Sequence, residues 1–251
     1  MNIKKHIPNT ITCCNLLCGC LALVQAFEGN LVYASYLVGL GAIFDFFDGF
    51  AARMLKVASP IGKDLDSLTD MVTFGVVPGV ILFQIVRGGL YLDKEGFSVF
   101  ENLRFSIYIP FLLTIFSAIR LAKFNNDTRQ TDSFIGVPTP AVAIIVCSLP
   151  LITNWNSGFN FDQYHQNEFI LNPYLLSILS IILSFLLVSE LPLFALKFRN
   201  FSWRGNRIRY TFLGLSLLLL ITLQYVGIPL VIILYILMSV VTNIYLKRRI
   251  V

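Results

Sequence analysis

Histidine is nearly missing from this sequence, since only His6 and His165 occur among its 251 residues. A catalytic triad or a general base built on histidine is therefore excluded as an interpretation of any other polar cluster. Cysteine is sparse too, and its spacing matches no familiar zinc pattern. The thiols are interpreted as small packing residues. They are Cys13, Cys14, Cys18, Cys20 and Cys147.

Apolar residues, by contrast, are abundant, at 56% of the chain with a mean hydropathy of +0.75. A soluble domain does not normally carry so much apolar sequence. Runs close to the length of about 20 residues that crosses a bilayer predict an all-α integral membrane protein with about eight transmembrane helices. The predicted spans lie near residues 10–28, 32–54, 66–86, 105–123, 138–154, 173–191, 209–224 and 228–246.

Basic residues are distributed unevenly between the two sides of these spans. Sixteen of the 19 lysines and arginines fall on the side of both termini, and the other side holds Arg87, Lys94 and Arg104. The positive-inside rule therefore predicts an inner-membrane protein with both termini in the cytoplasm. The net charge of +5 has the same source and indicates contact with anionic lipid head groups, with no nucleic acid as partner.

Four aspartates on two consecutive predicted spans form the most informative pattern. Asp45 and Asp48 are three residues apart, and Asp66 and Asp70 are four apart, so each pair shares a helix face. An ionised acid at membrane depth costs roughly 2.5 to 3.5 kcal/mol, a cost that bound divalent cations would offset. Oxygen ligands favour Mg²⁺ or Mn²⁺ over Zn²⁺, and four carboxylates suffice for two ions. The alternative is that the acids are solvated at helix ends or paired with nearby basic side chains.

Small residues continue the helix face that carries Asp45. Gly49 follows it by four residues and Ala52 by seven, which leaves a strip where a bulky ligand can lie. Arg53 then offers a planar guanidinium for a phosphate oxygen, and Gly62 lets the backbone approach the same ligand. Together these residues predict a metal-bound diphosphate.

The whole spacing from Asp45 to Asp70 is D-x-x-D-G-x-x-A-R followed by G-x-x-x-D-x-x-x-D. It resembles the signature of the CDP-alcohol phosphotransferases, and every signature position matches. Other segments are similar to the phosphatidylserine synthase branch of that family, with mild departures at Thr73 and Val137, where Ser and Leu are more usual. These segments are residues 7–16, 66–78, 120–125 and 134–140, with a fainter likeness at 188–192.

The resemblance implies an enzyme that transfers a phosphatidyl group from CDP-diacylglycerol to an alcohol, L-serine in this branch, and releases CMP. It implies that Asp45, Asp48 and Asp66 are chiefly metal ligands. Asp70 is expected both to contact metal and to take the proton of the attacking hydroxyl, because no histidine is at hand for that task. The residues expected to bind the CDP-lipid are Gly49, Ala52, Arg53, Gly62, Asn9 and Thr12.

The acceptor L-serine carries a carboxylate and an ammonium group, so its site needs a cation and a hydrogen-bond acceptor near the metal ions. Arg120, Lys123 and Asn125, at the cytoplasmic end of the fourth span, are the candidates. The alternative for the two basic residues is anchoring at the inner membrane surface, and Asn125 could equally cap the helix.

The family's organisation adds further expectations. Residues 1–205 are expected to form a catalytic membrane domain with six spans, and residues 206–251 to add two transmembrane helices. The family usually dimerises, which implies a homodimer. With the topology above, the aspartate site opens to the cytoplasm, where CMP is released, while the lipid tails stay in the inner leaflet.

Two other functions are alternatives to this one. Glycerol 3-phosphate or inositol phosphate as acceptor requires a denser basic cluster, for which Arg129 is available beside Arg120 and Lys123. A cation transporter would instead place polar breaks near the bilayer midplane in paired halves, and the sequence has no internal repeat. The acids cluster at one end of two consecutive spans, which favours a catalytic site that opens at the membrane surface.

Overall fold

The computed structural model describes residues 6–57, 59–92, 106–127, 133–153, 168–194 and 203–247, so His165 lies outside the described residues. The α-helices are α1 (His6–Phe27), α2 (Leu31–Leu55), α3 (Pro60–Asp70), α4 (Val77–Leu92), α5 (Phe111–Asn126), α6 (Thr139–Ile152), α7 (Glu168–Leu171), α8 (Pro173–Val188), α9 (Trp203–Leu223) and α10 (Gly227–Lys247). A π-helical segment, Met71–Val76, joins α3 to α4, and a 3-10 turn, Gln224–Val226, joins α9 to α10.

Five helical stretches are long and apolar enough to cross a membrane, and α6 and α8 are shorter apolar helices. The last stretch counts as two segments, α9 and α10, because Gln224, with a φ of 48°, interrupts the helix between them. The described residues therefore contain eight apolar helical segments, and the predicted all-α integral membrane fold is confirmed. The five long stretches are His6–Phe27, Leu31–Leu55, Pro60–Leu90, Ser106–Asn126 and Asn206–Asn243.

The third segment begins earlier than the hydropathy pattern predicts, at Pro60 instead of residue 66. Ser59 caps this end, because its Oγ accepts a hydrogen bond from the Gly62 N–H at 3.0 Å. Pro60 suits the first position of a helix, where its missing N–H leaves no hydrogen bond unmade. Asp66 and Asp70 therefore lie well inside a helix and not at its start.

The centre of the molecule is the segment formed by α3, the π-helical segment and α4. Its most buried side chains, Phe74, Ile81 and Ile85, are wholly inaccessible to solvent. Helices α1, α5, α6 and α8 all pack against this segment or its π-helical part. A Cβ atom at Gly79 would clash with Thr114 Oγ1, so α4 approaches α5 closely at a glycine.

A small antiparallel pair, β1 (Ser133–Ile135) with β2 (Pro192–Phe194), ties together the loops that follow α5 and α8. Gly136 follows β1 with a φ of 78°, and its N–H donates to the Leu191 carbonyl at 2.9 Å. A Cβ there would lie 2.7 Å from the Leu187 carbonyl oxygen. Glycine is therefore required both by the backbone conformation and by the close approach.

Candidate active site

The acidic faces of α2 and α3 meet beside α1. One carboxylate oxygen from each of Asp45, Asp48 and Asp66 lies within 4.8 Å of the other two. Asp45 and Asp48 share one face of α2, and α3 brings Asp66 next to them, so two helices supply three possible ligands. Asp48 is buried, with 6% of its surface exposed, so its charge is largely withdrawn from solvent.

Asp70 adjoins this group, because its carboxyl group lies next to that of Asp45. Two ionised carboxylates repel one another at such a distance, so a shared proton or a cation has to accompany them. The other oxygen of Asp70, Oδ1, is buried and has no hydrogen-bond partner. All four aspartates thus form one cluster with unused oxygen ligands.

α1 supplies the polar wall of the cluster. The Thr12 hydroxyl donates a hydrogen bond to Asp48 Oδ2 at 2.6 Å, a short distance typical of a charged acceptor. One turn further along α1, Asn15 is fully buried, and neither of its side-chain polar atoms has a hydrogen-bond partner. Its Oδ1 lies 2.8 Å from the position that a Cβ of Gly41 would occupy, one turn before Asp45.

An open cleft of about 250 Å³ leads to the aspartates. Five of the six residues predicted to bind the CDP-lipid line it, together with two of the aspartates and four residues that were not predicted. A Cβ at Gly49 would meet nothing within 4 Å, so this part of α2 leaves space for a ligand. The lining residues are Pro8, Asn9, Thr12, Asp48, Gly49, Ala52, Val57, Ser59, Gly62, Lys63 and Asp66.

Arg53 is the predicted CDP-lipid residue that does not line the cleft. It lies in the last turn of α2 and its side chain is exposed. The Lys56 backbone is left-handed, with its N–H bonded to the Ala52 and Arg53 carbonyls, which ends the helix just past Arg53. Arg53 is therefore exposed next to Ala52, which does line the cleft.

The three candidate serine ligands differ in their surroundings. Arg120 is buried, with 5% of its surface exposed, and its guanidinium lies 5.2 Å from the centre of the Phe124 ring. Arg120 Nε has no hydrogen-bond partner and lies 3.5 Å from the Cβ position of Gly136. Lys123 is exposed. Burial of Arg120 argues against head-group anchoring, whereas an exposed Lys123 is compatible with anchoring or with binding a soluble acceptor.

Asn125 connects the end of α5 to α3. Its Nδ2 donates to Ser67 Oγ at 2.8 Å, and Lys63 Nζ donates to its main-chain carbonyl at 2.8 Å. Ser67 adjoins Asp66, and Lys63 lines the cleft. The structure therefore brings Asn125 to the edge of the cleft by contacts between residues about 60 positions apart in the sequence.

The cluster fits the cation that its composition predicts. Its donors are carboxylate oxygens alone, which suit a hard divalent cation. The proximity of Asp45, Asp48 and Asp66 is unfavourable without positive charge. The residues present are thus able to hold a divalent metal ion.

Comparison with known proteins agrees with the family resemblance of the sequence. The sequence model of the family described as CDP-alcohol phosphatidyltransferase matches residues 5–189. The CDP-diacylglycerol–serine O-phosphatidyltransferase of Bacillus subtilis is 33% identical over 188 residues, which is 74% of this chain and 89% of that protein. The protein of the same name from Helicobacter pylori strain J99 is 36% identical over 149 residues, 59% of this chain and 58% of the relative.

A third relative is archaeal. The archaetidylserine synthase of Methanothermobacter thermautotrophicus is 28% identical over 158 residues, 60% of this chain and 62% of the relative. The chain thus spans most of the Bacillus protein and less than two thirds of the other two. The region matched by the family contains all four aspartates, the cleft and Asn125. The chain therefore belongs to the CDP-alcohol phosphatidyltransferase family.

Proposed function

We propose that this protein transfers the phosphatidyl group of CDP-diacylglycerol to the hydroxyl of L-serine and releases CMP. One observation carries the proposal: the cleft that is lined by Gly49, Ala52 and Gly62 is also lined by Asp48 and Asp66. A ligand lying on the small residues therefore reaches the acidic cluster with its diphosphate. The names of the curated relatives support serine as the acceptor.

Asp45, Asp48, Asp66 and Asp70 are proposed to hold two divalent cations, Mg²⁺ or Mn²⁺. Four carboxylates supply enough oxygen ligands for both ions. Cations bound there would neutralise charge on the diphosphate and favour the departure of CMP. Thr12 supports this arrangement, because its hydrogen bond fixes the orientation of the Asp48 carboxylate.

Asp70 is proposed as the general base. Its Oδ1 atom lacks a hydrogen-bond partner, so it is available to take the proton of the serine hydroxyl. The hydroxyl oxygen then forms a bond to the lipid-bearing phosphorus, while the bond from that phosphorus to the CMP oxygen breaks. Direct attack accounts for both products without a covalent enzyme intermediate.

Arg120, Lys123 and Asn125 are proposed to recognise serine. The burial of Arg120 supports a role in binding, because a buried guanidinium gains from an anionic partner such as the serine carboxylate. Asn125 is supported by its hydrogen bond to Ser67, next to Asp66. Glycerol 3-phosphate and inositol phosphate are less favoured, because the curated relatives above are named for products that contain serine.

The remaining organisation is also proposed. Both termini and the cleft face the cytoplasm, which the excess of basic residues on that side supports. Residues 1–205 act as the catalytic membrane domain, and residues 206–251, which contain α10 and all but the first three residues of α9, are an addition to it. The family match, which stops at residue 189, supports this division. The protein is expected to form a homodimer.

An acceptor panel tests the proposal. Purified protein is incubated with CDP-diacylglycerol and Mn²⁺, with L-serine, glycerol 3-phosphate and inositol phosphate offered in parallel, and the lipid products are identified by mass spectrometry. Phosphatidylserine formed from serine alone supports the proposal. A product that retains the acceptor's phosphate would show that the protein has another activity of the same family.

A further inference from the structure

A chain of hydrogen bonds joins α3 to the end of α5, and it involves a residue with no assigned role, Ser67. The Ser67 hydroxyl donates to the Lys63 carbonyl, one turn earlier in α3, at 3.2 Å. The same oxygen accepts a hydrogen bond from Asn125 Nδ2 at 2.8 Å. Lys63 Nζ closes the group by donating to the main-chain carbonyl of Asn125 at 2.8 Å.

The direction of these bonds determines which way the Asn125 amide faces. A serine hydroxyl has one hydrogen, and that hydrogen is used by the Lys63 carbonyl. Toward Asn125, the Ser67 oxygen is therefore an acceptor, and it requires the NH₂ end of the amide. Reversing the amide would require the Ser67 hydroxyl to leave the Lys63 carbonyl and donate to Asn125 Oδ1. Ser67 thus directs Asn125 Oδ1, an acceptor, away from itself.

An acceptor held in this way suits a cation with N–H groups. Asn125 is half-buried, and its main chain is fixed by Lys63, which lines the cleft. The orienting residue Ser67 directly follows Asp66, a member of the acidic cluster. The amide is therefore held by the residue that follows Asp66 and adds no fifth negative charge, which an aspartate at this position would do.

We propose that Ser67 is a positioning residue for acceptor specificity: by fixing the amide of Asn125, it presents Oδ1 to the ammonium group of L-serine. This inference rests on the proposed function, since serine has to be the acceptor. It separates the roles of three neighbours. Asn125 touches the substrate through its side chain, Ser67 orients that side chain, and Lys63 holds only its main chain.

Steady-state kinetics of four variants test the inference: Ser67→Ala, Ser67→Thr, Asn125→Ala and the double variant with both alanines. Because a hydrogen bond to a charged group is involved, Ser67→Ala is expected to raise the KM for serine about tenfold. Its kcat should stay within about twofold, and so should the KM for CDP-diacylglycerol and the Mn²⁺ dependence. Ser67→Thr, which keeps the hydroxyl, should restore the KM for serine.

The double variant shows whether Ser67 acts through Asn125. If it does, adding Ser67→Ala to Asn125→Ala raises the KM no further, because no amide remains to be oriented. Additive effects, a fall in kcat at constant KM, or an unchanged KM in Ser67→Ala would overturn the inference while leaving the proposed function intact. Absence of phosphatidylserine with the unsubstituted protein would overturn the proposed function and this inference together.

Discussion

The segment Pro60–Leu90 and the pair of helices within Asn206–Asn243 are both apolar, yet the first is mostly buried inside the molecule and the second is mostly exposed. The most apolar 18 residues of the first have a mean hydropathy of 1.7, and 67% of them are buried. Those of the second reach 2.5, and only 6% are buried. The more apolar region is thus the less buried one, with large exposed side chains such as Leu217 and Ile221.

This difference in burial is explained by the lipid that surrounds the helices. Apolar side chains gain little by leaving lipid tails for another helix, so packing within a bilayer follows small and polar residues. The central segment carries Thr69, Thr73 and Gly75, and the aspartates Asp66 and Asp70 lie on it as well. The last two helices bury Asn206, Ser216 and Ser239, but they leave most of their large apolar side chains exposed. Substitutions in the two regions should therefore differ in kind, and the following variants test that difference.

The largest effect is expected from Asp70→Asn, which keeps the shape of the side chain and removes its capacity to take a proton. Turnover should fall about a thousandfold, as is typical for loss of a general base, while metal-dependent binding of CDP-diacylglycerol remains. The rate of phosphatidylserine formation and a direct lipid-binding assay measure the two quantities. Thr222→Ala, at an exposed position of α9, is the matched control and should leave both unchanged. Near-normal turnover of Asp70→Asn would refute its assignment as base.

A smaller effect is expected from Asp66→Asn, which removes one charged ligand from the cluster. The Mn²⁺ concentration that gives half-maximal turnover should rise about tenfold or more. Asp64→Asn is a strict control, because Asp64 lies on the same helix two residues away and is exposed. An equal shift in both variants would mean that general charge, and not the cluster, attracts the metal.

Gly49→Leu and Gly214→Leu form a matched pair across the two regions. A Cβ at either glycine meets nothing within 4 Å, so both variants should fold, and both gain helix propensity. Only Gly49 lines the cleft. The KM for CDP-diacylglycerol should therefore rise in Gly49→Leu, by about tenfold if one well-placed contact is lost, and stay constant in Gly214→Leu. A similar KM in the two variants would show that the lipid substrate lies elsewhere.

The smallest effect is expected where the second region, through α10, contacts β2. The Tyr235 hydroxyl of α10 donates to the Phe194 carbonyl of β2 at 2.8 Å. Tyr235→Phe should lower the free energy of unfolding by about 0.5 to 1.5 kcal/mol without changing any KM. Thermal unfolding in detergent measures this loss. Tyr225→Phe, which affects an exposed hydroxyl pair with Tyr36, should change stability less.

Helical periodicity made much of the site predictable from sequence. Asp45, Asp48, Gly49 and Ala52 fall on one face because of their spacing, and that face lines the cleft or the cluster. Ser59 and Val57 were not predicted, because their positions depend on how the chain turns between α2 and α3. Residues that meet only through tertiary packing produce no periodic pattern in the sequence.

Contacts between distant segments were the least predictable part. Ser67 meets Asn125 across 58 positions, and without that contact Asn125 looks like an ordinary helix cap. The surroundings of Arg53 were also not predictable from spacing, because the helix ends two residues later and the side chain is exposed. The early start of α3 is explained by Ser59 and Pro60, a local capping signal that a hydropathy pattern does not contain.

The central claim is that metal held by the four aspartates drives transfer to serine. The most direct measurement is the amount of CMP and of phosphatidylserine that purified protein forms from CDP-diacylglycerol and serine, first after treatment with EDTA and then after Mn²⁺ is restored. The account predicts neither product without metal and equal molar amounts of both with it. Phosphatidylserine formed at an undiminished rate in EDTA would contradict it.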